Sequence, residues 1–313
     1  MVGKVMVVGG TGLVGNALVR AWKGRGAEVA AATYHCHASG GFLQLDMQDQ
    51  AQVRALLSRF QPSLVAVPAA NPFVDHCELH PEETRKVNVE GTLNVVRACR
   101  DLDARMIFYS SDYVFDGVKG VYTEEDVPCP INEYGRQKAE TEAGVMASDQ
   151  RNLVLRTSGA YGWQWEPKNF VLQIRKNLSE GRSMRVASDI RYNPTYVENL
   201  AEITVALAEA GASGVFHVVG ADEIVRYEFA LRVAKSFGLD SSLLKPTPAA
   251  ELGSPTPRPR ESSLRTDKVR AAVRVQPIGV AEGLLRMLAA EPSWRDYART
   301  LPDPAAKIAP ARR

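Results

Sequence analysis

The sequence predicts a doubly wound parallel α/β sheet with a smaller, discontinuous α/β domain beside it. Three observations carry this. Short apolar runs alternate with amphipathic stretches through the first half of the 313 residues. A glycine-rich turn separates the first apolar run from the first amphipathic stretch, and after Arg156 the alternation gives way to segments broken by Pro, Trp and Gly. Strand and helix alternating at this spacing imply parallel strands covered on both faces by helices.

Residues 4–8 form a buried-strand run, and 16–25 a helix with Ala17, Leu18, Ala21 and Trp22 on one side. A second strand follows at 28–33 and a short third at 42–45. Residues 50–60 turn Val53, Leu56, Leu57 and Phe60 inward at helical spacing. A fourth strand at 63–67, a long helix at 81–99 and a fifth strand at 105–109 complete the series. Beyond them, helices are expected at 170–179, 196–209 and 226–237, extended chain around 184–186 and 214–218, and a proline-rich connector at 246–259. This divides the chain into a cofactor domain (1–160 with about 193–222), a substrate domain (about 161–192 with 223–300) and a loose Pro/Ala-rich tail at 301–313.

Hydrophobic content of 45%, charged content of 24% and a formal net charge of +2 describe a globular chain with no electrostatic reason to bind nucleic acid. No apolar run is long enough to span a bilayer, and the first residues enter a strand without a signal-peptide pattern, so a cytoplasmic location is expected. The four cysteines, Cys36, Cys77, Cys99 and Cys129, are widely spaced and predict reduced thiols rather than a metal site or a disulfide frame.

The chemistry is concentrated at strand ends, where ligands of such sheets bind. Gly9-Gly10-Thr11-Gly12-Leu13-Val14-Gly15 lies between the first strand and the first helix. Gly9 and Gly12 permit a tight turn and close approach of a pyrophosphate, and Gly15 permits close helix packing. The helix N-terminus offers N–H groups and a positive dipole end. The second strand ends at Thr33 with no acidic residue to bind a ribose 2′-hydroxyl, which favours NADPH and leaves NADH as the alternative. His35 and His37 either assist a 2′-phosphate or lie in a solvated loop. Asp46 and Met47 flank adenine or simply end the third strand. Ala69, Ala70 and Asn71 follow the fourth strand, where small residues let the chain pass close to a cofactor. Asn88, polar on an otherwise apolar helix face, is expected to satisfy backbone groups near Lys138. Ser111, after the fifth strand, is placed to donate to a substrate carbonyl or to make a serine turn.

Tyr134 and Lys138 are four residues apart, on one face of a helix. An ammonium beside the phenol is expected to lower its pKa and fit it to pass a proton to or from a substrate oxygen. The glycine turn supplies the complementary half, a nicotinamide cofactor.

The turn at Gly9–Gly15, the run Ser110-Ser111-Asp112-Tyr113-Val114-Phe115-Asp116-Gly117 and the Tyr134/Lys138 pair together resemble the extended short-chain dehydrogenase/reductases, a Rossmann-fold family. Tyr122-Thr123-Glu124-Glu125-Asp126, Leu155-Arg156-Thr157-Ser158, Asn193-Pro194-Thr195 and Arg258-Pro259-Arg260 narrow the resemblance. They are similar to the dTDP-4-dehydrorhamnose reductase branch, which also includes the regulatory β subunit of methionine adenosyltransferase. The resemblance implies that Ser111 polarises the substrate carbonyl, Tyr134 donates the proton, and Lys138 binds the nicotinamide ribose and tunes Tyr134. It implies a cofactor site of Gly9, Thr11, Gly12, Leu13, Val14, Gly15, Thr33, His35, Asp46, Met47, Ala69, Ala70, Asn71 and Asn88. Asp75, Tyr113, Ser158 and Asn169 fall on the substrate side.

The implied activity is NADPH-dependent reduction of a nucleotide-activated 4-keto-6-deoxy sugar, with a homodimer as a family-level expectation. The alternatives are a cofactor-binding regulatory subunit of a partner enzyme and a nucleotide-sugar epimerase. The chain departs from the reductases at Gly159, where they commonly carry Trp, at Trp163-Gln164-Trp165-Glu166 and in the stretch from Asn71 to His76. These positions surround the expected sugar site.

Overall fold

The computed structural model describes residues 3–34 and 41–301. Seven strands form one parallel sheet: β1 (Lys4–Val8), β2 (Glu28–Thr33), β3 (Phe42–Gln44), β4 (Leu64–Val67), β5 (Arg105–Ser111), β6 (Leu153–Thr157) and β11 (Gly214–His217). Their spatial order is β11-β6-β5-β4-β1-β2-β3. The order reverses between β1 and β4, which pair through Val5–Leu64, Met6–Val65 and Val7–Ala66.

Side chains alternate across this sheet and bury two cores. Val5, Val7, Ile107, Tyr109, Leu153 and Leu155 pack on Leu18 and Trp22 of α1 (Leu13–Gly24) and on Leu200, Ile203 and Leu207 of α8 (Val197–Glu209). Met6, Val8, Val65, Val67, Met106, Phe108 and Val154 face the other way. They meet Val53 and Leu57 of α2 (Gln50–Phe60), Val95 and Cys99 of α5 (Thr92–Asp101) and Val145 of α6 (Glu133–Ser148). Strand periodicity of two therefore serves two helical layers at once.

The helix expected at 81–99 is present as a continuous helical run that widens at its middle. Two short helices, α3 (Val74–Leu79) and α4 (Pro81–Arg85), precede a π-helical turn at Lys86–Gly91 that leads into α5. The widened turn leaves the Asn88 carbonyl to accept from the Thr92 hydroxyl (3.0 Å) and the Thr141 hydroxyl (3.2 Å). Apolar spacing alone does not distinguish such a turn from regular helix.

A second core gathers Tyr161, Val171, Ile174, Val186, Tyr192, Phe229, Val233, Leu284 and Met287. Its helices are α7 (Phe170–Ser179), α9 (Arg226–Ser236) and α11 (Val280–Ala289). Two-residue strands β7 (Ala160–Tyr161), β9 (Arg191–Tyr192), β10 (Thr195–Tyr196) and β12 (Ile224–Val225) join them. Strand β8 (Met184–Ala187) pairs in parallel with β13 (Leu244–Thr247). The proline-rich stretch at 246–259 is thus part strand. Beyond it the chain returns to the large sheet: Asn132 donates to the Pro257 carbonyl (3.0 Å), and Tyr122 bridges Leu264. Two further helices, α10 (Asp267–Ala272) and α12 (Glu291–Ala298), lie, like α11, where no helix was predicted.

Arg156 on β6 and Glu142 on α6 form a buried ion pair at 2.8 Å, with side chains only 4% and 6% exposed. All contacts run guanidinium to carboxylate, two of them from Nε. Removing one partner leaves the other charge in a dry site. Glu142→Ala is expected to cost about 3–5 kcal/mol of unfolding free energy in urea denaturation; a loss below about 1 kcal/mol, the size of a surface pair, would contradict the burial.

Candidate active site

The glycine turn caps β1 at the point of strand reversal. The N–H groups of Gly9 and Gly10 donate to the Ala32 carbonyl on β2, at 2.8 and 2.9 Å. Gly9 has φ +95°, and a Cβ there would lie 2.9 Å from the Ala69 backbone. A Cβ on Gly15 would lie 2.1 Å from the Gly9 carbonyl oxygen, so the first turn of α1 rests directly on the loop. Gly12 is the N-cap of α1, and no side chain caps it. An uncapped helix start over a glycine cradle is what a pyrophosphate requires, and these residues fit one. Thr11 and Thr33 join the loop to the end of β2 through their hydroxyls at 2.8 Å. Asp46 caps its own turn by accepting from Gln48 N–H (2.9 Å), and Met47 is buried beneath Asn94, which donates to the Met47 carbonyl (2.9 Å). His35 and His37 lie outside the described residues.

After β4, Asn71 is held at both backbone groups by Asn88. Its N–H donates to Asn88 Oδ1 (2.7 Å), and its carbonyl accepts from Asn88 Nδ2 (3.2 Å). The same Nδ2 donates to Gln137 Oε1 on α6 (2.8 Å), linking the loop after β4, which begins with Ala69 and Ala70, to the helix of Tyr134 and Lys138.

Asn132 caps α6 by accepting from the Gly135 N–H at 2.9 Å. A Cβ on Gly135 would stand 2.0 Å from the Tyr113 carbonyl oxygen, so only glycine lets α6 approach the end of β5 this closely. That approach brings Tyr134 beside Tyr113, edge to face with ring centres 6.1 Å apart, and next to Ser111. Lys138 is buried. Its ammonium donates to the Tyr109 carbonyl at 2.7 Å and lies 5.8 Å from the centre of the Tyr134 ring.

The electrostatics correct one expectation. Proximity of Lys138 was expected to lower the Tyr134 phenol. In the structure burial holds it well above the ordinary range. The ammonium is turned to a backbone carbonyl instead. Burial also pushes Lys138 down to about 8, against the opposing charge of Glu142. The phenol is therefore a proton donor at neutral pH.

Of the residues expected on the substrate side, Asp75 accepts from Arg258 (2.8 Å) and Ser254 (2.9 Å). Its burial works to raise its carboxyl, but hydrogen bonds from Ser254 and Arg258 bring it below the ordinary value. The Ser158 hydroxyl donates to Asp112 at 2.8 Å. Asn169 caps α7 and donates to the Gly162 carbonyl at 2.9 Å. Trp163 belongs to the second core and donates to the Met287 carbonyl (2.6 Å), whereas Trp165 and Phe73 are exposed. Asp112 received no role from sequence, because its partners Ser158 and Ser262 come from distant segments. Among the described residues no group of three or more His, Cys, Asp or Glu side chains is placed to hold a metal ion, and no helix is long and apolar enough to cross a membrane.

Comparison with known proteins agrees with this geometry. A family model described as the RmlD substrate binding domain matches residues 3–292. The probable low-salt glycan biosynthesis reductase Agl14 of Haloferax volcanii is 31% identical over 303 residues, covering 93% of this chain and 98% of that one. Methionine adenosyltransferase 2 subunit beta of Xenopus tropicalis is 30% identical, covering 93% and 90%. The crystal structure of dTDP-4-dehydrorhamnose reductase from Bacillus anthracis in complex with NADP superposes with a TM-score of 0.84 at 26% identity, covering 92% of this chain and 99% of that one.

Two predictions follow from the packing around Lys138. Gly135→Ala is expected to destabilise the protein by about 1–3 kcal/mol in urea unfolding, since the added methyl must displace backbone; wild-type stability would contradict the close approach. Lys138 sits at about 8 against an ordinary 10.5. Between those values the unfolded chain binds a proton that the folded protein lacks, so folding stability gains with rising pH across that window. Lys138→Met removes this gain. Urea unfolding of both proteins at the two ends of the window measures it, and parallel slopes would contradict the burial of the amine.

Proposed function

The chain belongs to the RmlD substrate binding domain family, and from that membership we propose that it reduces the ketone of a nucleotide-activated 4-keto-6-deoxy sugar with NADPH. The observation that carries this reading is the packing of α6 on the carboxyl end of β5, which sets a protonated, half-buried Tyr134 beside Tyr113 and Ser111, close to the strand reversal. A phenol that holds its proton at neutral pH suits reduction, where the substrate oxygen must gain one.

In this reading Gly9, Thr11, Gly12, Leu13, Val14 and Gly15 hold the pyrophosphate on the start of α1. Thr33, Asp46 and Met47 border the adenosine half, and Ala69, Ala70 and Asn71 the nicotinamide ribose. The end of β2 carries no carboxylate to repel a 2′-phosphate. NADPH, when bound, supplies hydride to the ketone carbon. Ser111 donates a hydrogen bond to the ketone oxygen as its negative charge develops, and Tyr134 delivers the proton to that oxygen. Lys138 offers its ammonium to the ribose hydroxyls and stabilises the charge left on Tyr134. Residues 1–160 with about 193–222 carry the cofactor, and 161–192 with 223–300 carry the sugar, where Asp75, Tyr113, Ser158 and Asn169 border it. The similarity to methionine adenosyltransferase 2 subunit beta supports a second reading, a cofactor-binding regulatory subunit.

NADPH oxidation against a panel of nucleotide-linked 4-keto sugars tests both. Tyr134→Phe is expected to lower turnover by about 10²–10⁴-fold while leaving NADPH affinity within a few fold. Full activity in that variant would overturn the mechanism. NADPH binding without turnover on any sugar would favour the regulatory reading.

A further inference from the structure

Asp112 is 4% exposed, directly behind Ser111. Its Oδ1 contacts Ser111 Oγ at 2.9 Å, and its Oδ2 contacts Ser158 Oγ at 2.8 Å and Ser262 Oγ at 2.6 Å. Ser111 Oγ also accepts from the Tyr113 N–H at 3.2 Å, and Tyr134 stands beside it. A serine hydroxyl has one hydrogen and two lone pairs. Counting them fixes what each charge state of Asp112 allows.

With Asp112 ionised, Ser111 spends its only hydrogen on the carboxylate. Its second lone pair then draws the Tyr134 hydrogen inward, and neither hydroxyl has a hydrogen left for a substrate oxygen. With a proton on Asp112 Oδ1, the carboxyl donates to Ser111. The two lone pairs of Ser111 are then filled by Asp112 and the Tyr113 N–H, its hydrogen points outward, and the Tyr134 hydrogen is free. Ser158 and Ser262 still donate to Oδ2 in this state.

We propose that Asp112 is a positioning residue that works protonated, setting the direction of the Asp112–Ser111–Tyr134 hydrogen-bond chain so that both hydroxyls present their hydrogens to the substrate oxygen. This rests on the reductase reading. Asp112 keeps its proton throughout: the proton transferred is that of Tyr134. The surroundings agree. Burial raises the Asp112 carboxyl against the opposing hydrogen bonds of Ser262, Ser158 and Ser111. The titratable groups around it are Tyr113, Tyr134 and Tyr192, whose phenols burial keeps neutral. Of the cations beyond them, Arg226 acts on Tyr113 and Tyr192, and Arg258 acts on Tyr113 but is itself paired with Asp75. Glu261, next to Ser262, is paired with Arg191 at 3.3 Å.

The test reads the proton directly and activity separately. Infrared spectra of the full chain at neutral pH are expected to contain a protonated-carboxyl band that is missing in Asp112→Asn. The Asn amide can donate to Ser111 as the protonated acid does, whereas Asp112→Ala cannot. In the NADPH-oxidation assay Asp112→Asn is therefore expected to retain turnover within about tenfold of wild type and to lose the fall in kcat expected of wild type as pH rises through the ionisation of Asp112, while Asp112→Ala loses about 10²-fold or more. Absence of the band in wild type would overturn the proposal even if turnover is normal. So would an Asp112→Asn variant, folded by its NADPH titration, that keeps the wild-type pH profile, since a purely structural residue would leave that profile in place. A band that disappears in Asp112→Asn, with no turnover by wild type on any sugar, would uphold the protonated carboxyl and overturn the reductase reading.

Discussion

Every strand of the large sheet runs the same way, and the site depends on that constraint. Parallel pairing obliges the chain to cross over after each strand, so all seven carboxyl ends open on one edge. Gly9, Thr33, Ala69, Ser111 and Ser158 are separated by up to 149 residues of sequence, yet each follows or ends one of these strands. The reversal between β1 and β4 parts the flanking loops there. An uncapped helix start, a tight glycine turn and a short row of small residues meet at that gap.

On this edge the protein buries polar groups that would be costly without partners. Lys138 finds a backbone carbonyl, Arg156 finds Glu142, and Asp112 finds three serine hydroxyls. The consequences differ. Arg156 and Glu142 compensate one another and fasten α6 to β6. Lys138 and Tyr134 share little compensation, and desolvation moves both toward their neutral forms. A neutral phenol beside a serine is equipped to give a proton rather than to take one. The neighbouring Asp112 works in the same direction, because its own burial favours the acid over the carboxylate.

The alternating pattern up to residue 111 made the parallel sheet legible, since strands buried on both faces must be nearly all apolar. The glycine turn, Ser111, Tyr134 and Lys138 were legible because their spacing or strand-end position has a direct chemical meaning. The π turn around Asn88 was not, because a widening confined to Lys86–Gly91 shifts the apolar pattern by too little to read. The stretch at 246–259 resembled a connector because proline argues against central strands. Pro246 nevertheless sits in the two-stranded pairing of β13 with β8.

Sequence by itself determined the fold class, the cofactor turn and the Tyr134/Lys138 pair, because these rest on local periodicity and short-range spacing. Only the tertiary structure decided the protonation of that pair and the identity of its supports. Desolvation depends on what covers a side chain, and four-residue spacing says nothing of the Tyr109 carbonyl that takes up the Lys138 ammonium. Asp112 is the extreme case: beside its chain neighbour Ser111, its hydrogen-bond partners at 158 and 262 arrive from two distant segments, and no local pattern encodes that convergence.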